Sequence, residues 1–305
     1  MKTPPEPQVT LPAAAPLLRP AISPARDRLQ SELLVWGWMV TVLPLALLIL
    51  CVQTSIAWEN GTLLSSMRMH GVYVSVLLAL LVLVLRAATP AAAAVGGVIC
   101  FTMTLEILLT SSKMSETALP TLIMLVILTL TATRIGRARK AELGLAEKKR
   151  GRSISQIVAN LGMASAVSLL HGMHAAAGPA CIAVLAEATA DTVSSELGPL
   201  LPGRTFLITT LCPVTPGTDG GISLGGSLCG LAAAAAVIYT GITTMQMDWL
   251  EAKIAIPGVL LGFLADSFLG ATLERRGKIG NDVVNFLSTA IAAMVAFALG
   301  VWLIP

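Results

Sequence analysis

Residues 175–193, AAAGPACIAVLAEATADTV, set two carboxylates, Glu187 and Asp191, inside a run of small apolar residues. Read as a helix, the run has the length of a bilayer core, and the carboxylates stand four residues apart on one face. An ionised carboxylate at membrane depth is expensive unless it is paired, hydrated or bound to a cation, so the pair marks a functional site within a membrane protein. The competing explanation is a helix whose carboxylates merely meet the headgroup layer. The chain then continues SSELGPLLPGRTFLITTLCPVTPGTDGGIS to Ser223, adding Glu196, Thr209, Thr210, Asp219 and a Gly-rich turn. Glu196 is expected beyond the helix end, in solvent.

Composition agrees with a membrane fold. Of 305 residues, 55% are hydrophobic and 12% charged, and the mean hydropathy is +0.81, far above ordinary soluble domains. The expected class is all-α, a polytopic transmembrane helical bundle. Cys51, Cys100, Cys181, Cys212 and Cys229 are scattered singly, which argues against a zinc site or a disulfide framework. A net charge of +3 without a basic block among aromatics gives no nucleic-acid surface. No GxxxxGK[ST] pattern occurs, which excludes a Walker-type nucleotide site.

Working outward, residues 1–31 are Pro-rich and read as a disordered cytoplasmic tail, and the first apolar run lies too far from Met1 for a cleaved signal peptide. Candidate spans are Leu33–Val52, His70–Leu85, Ala91–Thr110 and Leu119–Thr133, giving a four-span bundle over 32–133. A basic cytoplasmic loop fills 134–156. The five-span core over 157–305 holds Ile157–Leu170, Ala175–Val193, Ile222–Thr244, Ala252–Gly270 and Val283–Ile304. About nine spans with the N-terminus inside and the C-terminus outside put all but Arg68, Lys113 and Lys253 of the 20 basic residues on cytoplasmic segments.

That topology gathers the unusual polar segments on one face. Asp266 lies in an apolar run beside Ser267, and Asn281, Asp282 and Asn285 open the last span, where capping and ligand binding compete as explanations. Thr215–Ser223 reads as a turn leading into a helix, with Gly217, Thr218, Gly220 and Gly221 placed to hold phosphate through backbone N–H groups. Asp191, Asp219 and Asp266 suit magnesium, which bridges carboxylates to substrate phosphates. Glu187 orients them or accepts a proton, and Ser194, Thr209 and Thr210 lie nearby in sequence. Positive-inside anchoring accounts for Arg134, Arg137 and Lys140; the functional alternative is a clamp on a lipid phosphate, aided by Asn160. His171 and His174 fall on the other side of the membrane, away from the acidic groups. Asn60-Gly61-Thr62 matches a glycosylation sequon, a short and promiscuous pattern.

The segments ATRIGRARK, AEATADTVSSELG, ITTLCPVTPGTDGGISLGGSLCG, LADSFLGATLE and NDVVNFLST together resemble the integral-membrane family that includes transmembrane protein nineteen and plant phytyl-phosphate kinase. The resemblance runs from about Thr131 to the C-terminus; Cys212 departs from it, where a bulkier residue is expected before the proline. It implies a kinase that converts a prenyl monophosphate into the diphosphate, with CTP or another nucleoside triphosphate as donor and Mg2+ as cofactor. A distant similarity to membrane polyprenol kinases and cytidylyltransferases leaves the lipid-phosphate cytidylyltransferase as an alternative, and a transporter or scaffold as a third. The expected location is a bacterial inner membrane, with membrane lipids, the prenyl phosphate lipid and the nucleotide as partners.

Overall fold

The structure, a computed structural model, describes residues 22–59, 66–105, 116–145, 151–171 and 173–304. The sequon at Asn60, residues 1–21 of the tail, Lys113 and 146–150 of the basic loop lie outside the described residues. The helices are α1 (Pro24–Glu59), α2 (Ser66–Val84), α3 (Pro90–Thr104), α4 (Leu119–Arg134), α5 (Arg137–Glu142), α6 (Ile154–Ser168), α7 (Ala177–Leu197), α8 (Leu224–Thr244), α9 (Trp249–Leu269) and α10 (Asn281–Leu303). Three short strands, β1 (Thr205–Leu207), β2 (Pro213–Val214) and β3 (Gly221–Ser223), complete it.

Within the described residues, each apolar run of the sequence falls largely on one helix. Among the described residues, four helical stretches are long and apolar enough to cross a membrane by themselves: Pro24–Ser55, Leu224–Thr244, Trp249–Glu274 and Asn281–Leu303. The helices α3, α4 and α6 are apolar but shorter, as is α2 from His70 onward. Large apolar side chains such as Trp36, Leu80, Leu228, Phe268 and Met294 face outward, as a lipid-facing perimeter requires.

The core is built around α7. Of its 21 residues, 16 are buried, because α4, α6, α8, α9 and α10 all pack against it. That is why a helix of Ala, Gly and Thr can carry carboxylates here: its surroundings are protein, not lipid. Small residues let the neighbours close in. A Cβ at Gly258 of α9 would stand 2.6 Å from the Ala292 carbonyl oxygen of α10, and one at Gly262 would stand 2.8 Å from that of Ser288. These pairings run in opposite directions along the chain, so α9 and α10 are antiparallel.

Side-chain caps fix the helix starts. Ser153 and Gln156 cap α6 reciprocally, Asp248 and Glu251 do the same for α9, and Ser223 Oγ accepts the Gly226 N–H at α8. At the start of α10 the capping explanation for Asn281 and Asp282 does not apply: Gly280 is the cap residue, Asn281 is the first helical residue, and neither side chain caps the helix.

Three further expectations are corrected. Residues 24–31 belong to α1 rather than to a disordered tail; the Gln30 side chain accepts the Gly280 N–H at 2.9 Å and donates to the Lys278 carbonyl at 3.0 Å, and Ser31 donates to Asp282 at 2.8 Å. Three of the first four helices pack on the second half instead of forming a bundle of their own: α1 packs on α6 and α10, α3 on α6, and α4 on α7 and α8, while α2 packs on α3. The all-α class holds, and the departure is local: in the segment before α8, β1 to β3 form a small antiparallel sheet in the order β2-β1-β3, with Thr205 opposite both Val214 and Ser223. The turns of Thr215–Gly220 thus lead into a strand, and α8 begins at Leu224.

Candidate active site

The N-terminal turns of α6 and α10, the C-terminal halves of α7 and α9, and the loop before β3 enclose a cavity of about 390 Å3. Sequence-distant polar groups therefore meet at one end of the bundle. Beyond α9 the chain continues as a π-helical turn, Gly270–Glu274. Such turns are frequent at functional sites. At Gly270 a Cβ would stand 2.8 Å from the Gly220 N, so the loop lies directly on this turn. Gly220 adopts φ +71° and abuts the backbone of Ala271, so both its conformation and its space exclude a side chain.

The floor of the cavity is acidic. Asp191 of α7 and Asp266 of α9 line it with their side chains against each other. Asp266 Oδ1 is buried with no hydrogen-bond partner among the described residues. One turn deeper, Glu187 is 1% exposed and has neither carboxylate oxygen hydrogen-bonded. It packs where α7 meets α9, with its Cγ 2.8 Å from where a Gly262 Cβ would be, and it does not line the cavity. Asp219 lines the same cavity from the loop. No group of three or more His, Cys, Asp or Glu side chains among the described residues stands close enough to hold a metal by itself. The expected three-aspartate set is thus an adjoining pair, Asp191 and Asp266, with Asp219 apart on the loop.

Around this floor stand Asn160, Ser194, Gly217, Thr218, Gly220, Gly221, Ser267, Asn281 and Asn285, all anticipated as binding residues. Asn160 donates to the Gln156 carbonyl at 2.9 Å. The loop holds its own shape: the Thr218 N–H donates to the Thr215 carbonyl at 3.2 Å and the Gly221 N–H to the Thr218 carbonyl at 2.8 Å. Those two amides are engaged within the loop, which corrects their expected use as phosphate donors.

The cationic clamp is also corrected. Lys140 is 2% exposed, and its Nζ donates to the Ala132 and Thr133 carbonyls at 3.0 and 2.9 Å and to the Glu196 carboxylate. Glu196 is therefore a helical, half-buried partner rather than a solvent residue. Arg134 donates to the Leu85 carbonyl at 3.3 Å, Arg137 is exposed, and neither lines the cavity. Thr209 and Thr210 lie exposed between β1 and β2, and Asp282 is engaged with Ser31.

The cation that does line the cavity is Arg152, together with Gln156, Ser195 and Glu274. In sequence Arg152 is one more charge of the basic loop over 134–156. Its backbone is pinned by the α2–α3 connection: the Arg152 N–H donates to Ala87 at 2.9 Å and the Thr89 N–H donates to Arg152 at 3.0 Å. Gly151 makes this approach possible at φ +73°, because a Cβ there would meet Ala88 N at 2.7 Å.

Known proteins resemble this chain in sequence. The chain is 33% identical over 182 residues to an uncharacterized membrane protein of Synechocystis sp., covering 55% of this chain and 67% of that protein. It is 29% identical over 176 residues to Protein VTE6, chloroplastic, of Arabidopsis thaliana, covering 54% and 53%. It is 38% identical over 117 residues to an uncharacterized membrane protein of Methanocaldococcus jannaschii, covering 37% and 48%. The aligned regions span about half to two thirds of these relatives' lengths. No solved structure matches. The family model for Integral membrane protein DUF92 matches residues 73–293, which include every cavity residue named above. The membership expected from the five motifs holds, and the chain belongs to the DUF92 family of integral membrane proteins.

Proposed function

We propose that the protein is a membrane phosphotransferase that converts a prenyl monophosphate into the diphosphate with a nucleoside triphosphate, CTP first among the candidates. The observation that carries this reading is the adjoining pair Asp191 and Asp266 at the floor of a polar cavity that Arg152 also lines. The motif resemblance to the family of plant phytyl-phosphate kinase supports the substrate class. In this reading nine helices cross a bacterial cell membrane, the N-terminus is inside, and the cavity opens to the cytoplasm. Trp58, Trp249 and Trp302, each exposed, lie at the opposite end of the bundle, because α1 runs parallel to α10 and α9 antiparallel to it. That placement suits an interfacial aromatic belt on the far side.

The residues fit magnesium. This ion takes hard oxygens, needs one or two protein carboxylates and draws its remaining ligands from water and phosphate. Asp191 and Asp266 supply the carboxylates, Asp219 reaches the same space, and the partnerless Asp266 Oδ1 is an oxygen with a lone pair to offer. When bound there, the ion supplies charge neutralisation on the phosphates.

Phosphoryl transfer depends on positioning and charge more than on covalent chemistry by the protein. The acceptor oxygen of the prenyl monophosphate bonds to the γ-phosphorus, the bond from that phosphorus to the bridging oxygen breaks, and the nucleoside diphosphate leaves with the electron pair. An anionic phosphate acceptor has no proton to surrender, so no general base is needed and Glu187 supports Asp191 from below. Arg152 holds a phosphate. The first turns of α6 and α10 direct their positive ends at the cavity, where Asn160, Asn281 and Asn285 add neutral hydrogen-bond groups. Ser194 and Ser267 lie at the carboxylates.

The full-length protein in detergent, given farnesyl monophosphate, magnesium and a panel of nucleoside triphosphates, yields farnesyl diphosphate and a nucleoside diphosphate. Pyrophosphate with a nucleoside diphosphate-linked lipid instead identifies a cytidylyltransferase. No turnover, with ion-dependent uptake in vesicles, identifies a transporter.

A further inference from the structure

A second, smaller cavity of about 70 Å3 lies against the first and differs from it in character. It is an apolar groove lined by Ala88, Ala92 and Gly96 on the α3 side and by Leu122, Val126 and Leu130 on α4. It exists because α4 packs mainly on α7 and α8 and only lightly on α3, while the facing surface of α3 is Ala and Gly. Val126 and Leu130 at its rim are half-buried. Arg152 lines both cavities. Arg152 thus stands where an apolar groove between membrane helices joins the acidic, polar cavity.

We infer that this groove is the tail site of the lipid substrate: it takes the part of the prenyl chain next to the phosphate, with Arg152 on the phosphate at the junction. This inference rests on the prenyl-phosphate reading above and adds to it the place and direction of the lipid. The groove is a small fraction of the neighbouring cavity in volume, so it seats only the first portion of the chain and leaves the remainder in the bilayer. An occupant needs an apolar stem and an anionic head, which a nucleotide or a free phosphate lacks. Small residues of α3 then set which chains fit. Gly96 is the most direct of them: among the described residues a Cβ there meets only Ile157, at 4.0 Å, so a larger side chain grows into the groove without displacing backbone.

The test is binding without nucleotide, read as thermal stabilisation of the full-length protein in detergent by farnesyl monophosphate, phosphatidic acid and inorganic phosphate. Wild type gains most from farnesyl monophosphate. Gly96→Leu loses on the order of tenfold or more in affinity for it, as expected when a branched five-carbon unit is denied burial, and keeps its response to inorganic phosphate. Ala79→Leu, filling the groove from α2, does the same and serves if Gly96→Leu folds poorly. Unchanged affinity for farnesyl monophosphate in both variants overturns the tail site, and equal stabilisation by phosphatidic acid overturns its assignment to a prenyl chain. Groove-dependent binding in a protein that transfers no phosphoryl group sustains the tail site while removing the kinase reading.

Discussion

Asp266 on α9 lies against Asp191 on α7, and its buried Oδ1 has no hydrogen-bond partner among the described residues. Two adjoining carboxylates repel, and burial strips them of water, so their juxtaposition costs stability that folding alone gives no reason to retain. A cation between or beside them offsets both costs. The same logic extends to Glu187, one turn deeper, whose two oxygens have no hydrogen-bond partner among the described residues.

Lys140 and Glu196 present the opposite case, a pair that holds structure. Lys140→Ala leaves Glu196 without its cation at a half-buried site, and the expected loss is about 3 kcal/mol. Arg137→Ala, at an exposed position, stays within about 0.5 kcal/mol of wild type. The double change Lys140→Met with Glu196→Leu recovers most of the loss, because neither charge is stranded. Thermal melting of the four proteins in one detergent reads all three expectations. A Lys140→Ala protein as stable as wild type contradicts the pair's structural role.

Gly151 places Arg152, and Gly144 offers a matched control. Both have positive φ, +73° and +72°, but a Cβ at Gly151 meets the backbone of Ala87 and Ala88 while one at Gly144 meets nothing within 4 Å among the described residues. Each change to Ala incurs about 1–2 kcal/mol of left-handed backbone strain. Gly151→Ala additionally shifts Arg152, so KM for the lipid phosphate rises severalfold in that variant alone. Steady-state kinetics on both proteins decides it, and equal KM values in the two variants contradict the positioning role.

Topology is open to direct measurement. Single cysteines placed at Arg139 and at Arg204, on a background without the five native cysteines, are shielded from an impermeant reagent in intact cells, whereas a cysteine at Pro305 is labelled. Labelling at Arg139 and Arg204 inverts the proposed orientation.

Much of the helical framework was legible because apolar runs of bilayer length impose helices wherever backbone groups must bond internally. Of the acidic floor, Asp191 and Asp266 were each legible as carboxylates inside apolar runs, whereas the spacing that put Glu187 on the face of Asp191 did not show that Glu187 lies beneath the cavity rather than in it. The sheet was not: strands of two or three residues, Thr205–Leu207 and Pro213–Val214 among them, are too short to show an alternating pattern. Nor was the division of labour among the cations. Lys140 and Arg152 sit in the same basic loop and differ only through distant partners, Glu196 for one and the Ala87–Thr89 backbone for the other. The helical reach of α7 to Leu197, which brings Glu196 to Lys140, was hidden by the polar composition after Val193.

The most direct test of the phosphotransfer site is the transfer of label from a γ-labelled nucleoside triphosphate to farnesyl monophosphate, measured side by side for wild type and Asp266→Asn. Asparagine keeps the shape of the side chain and removes the charge. The account predicts labelled farnesyl diphosphate from wild type and a loss on the order of 10²- to 10³-fold in the variant, which melts at or above the wild-type temperature. Equal transfer by both proteins, or a variant that melts early yet transfers label normally, contradicts it.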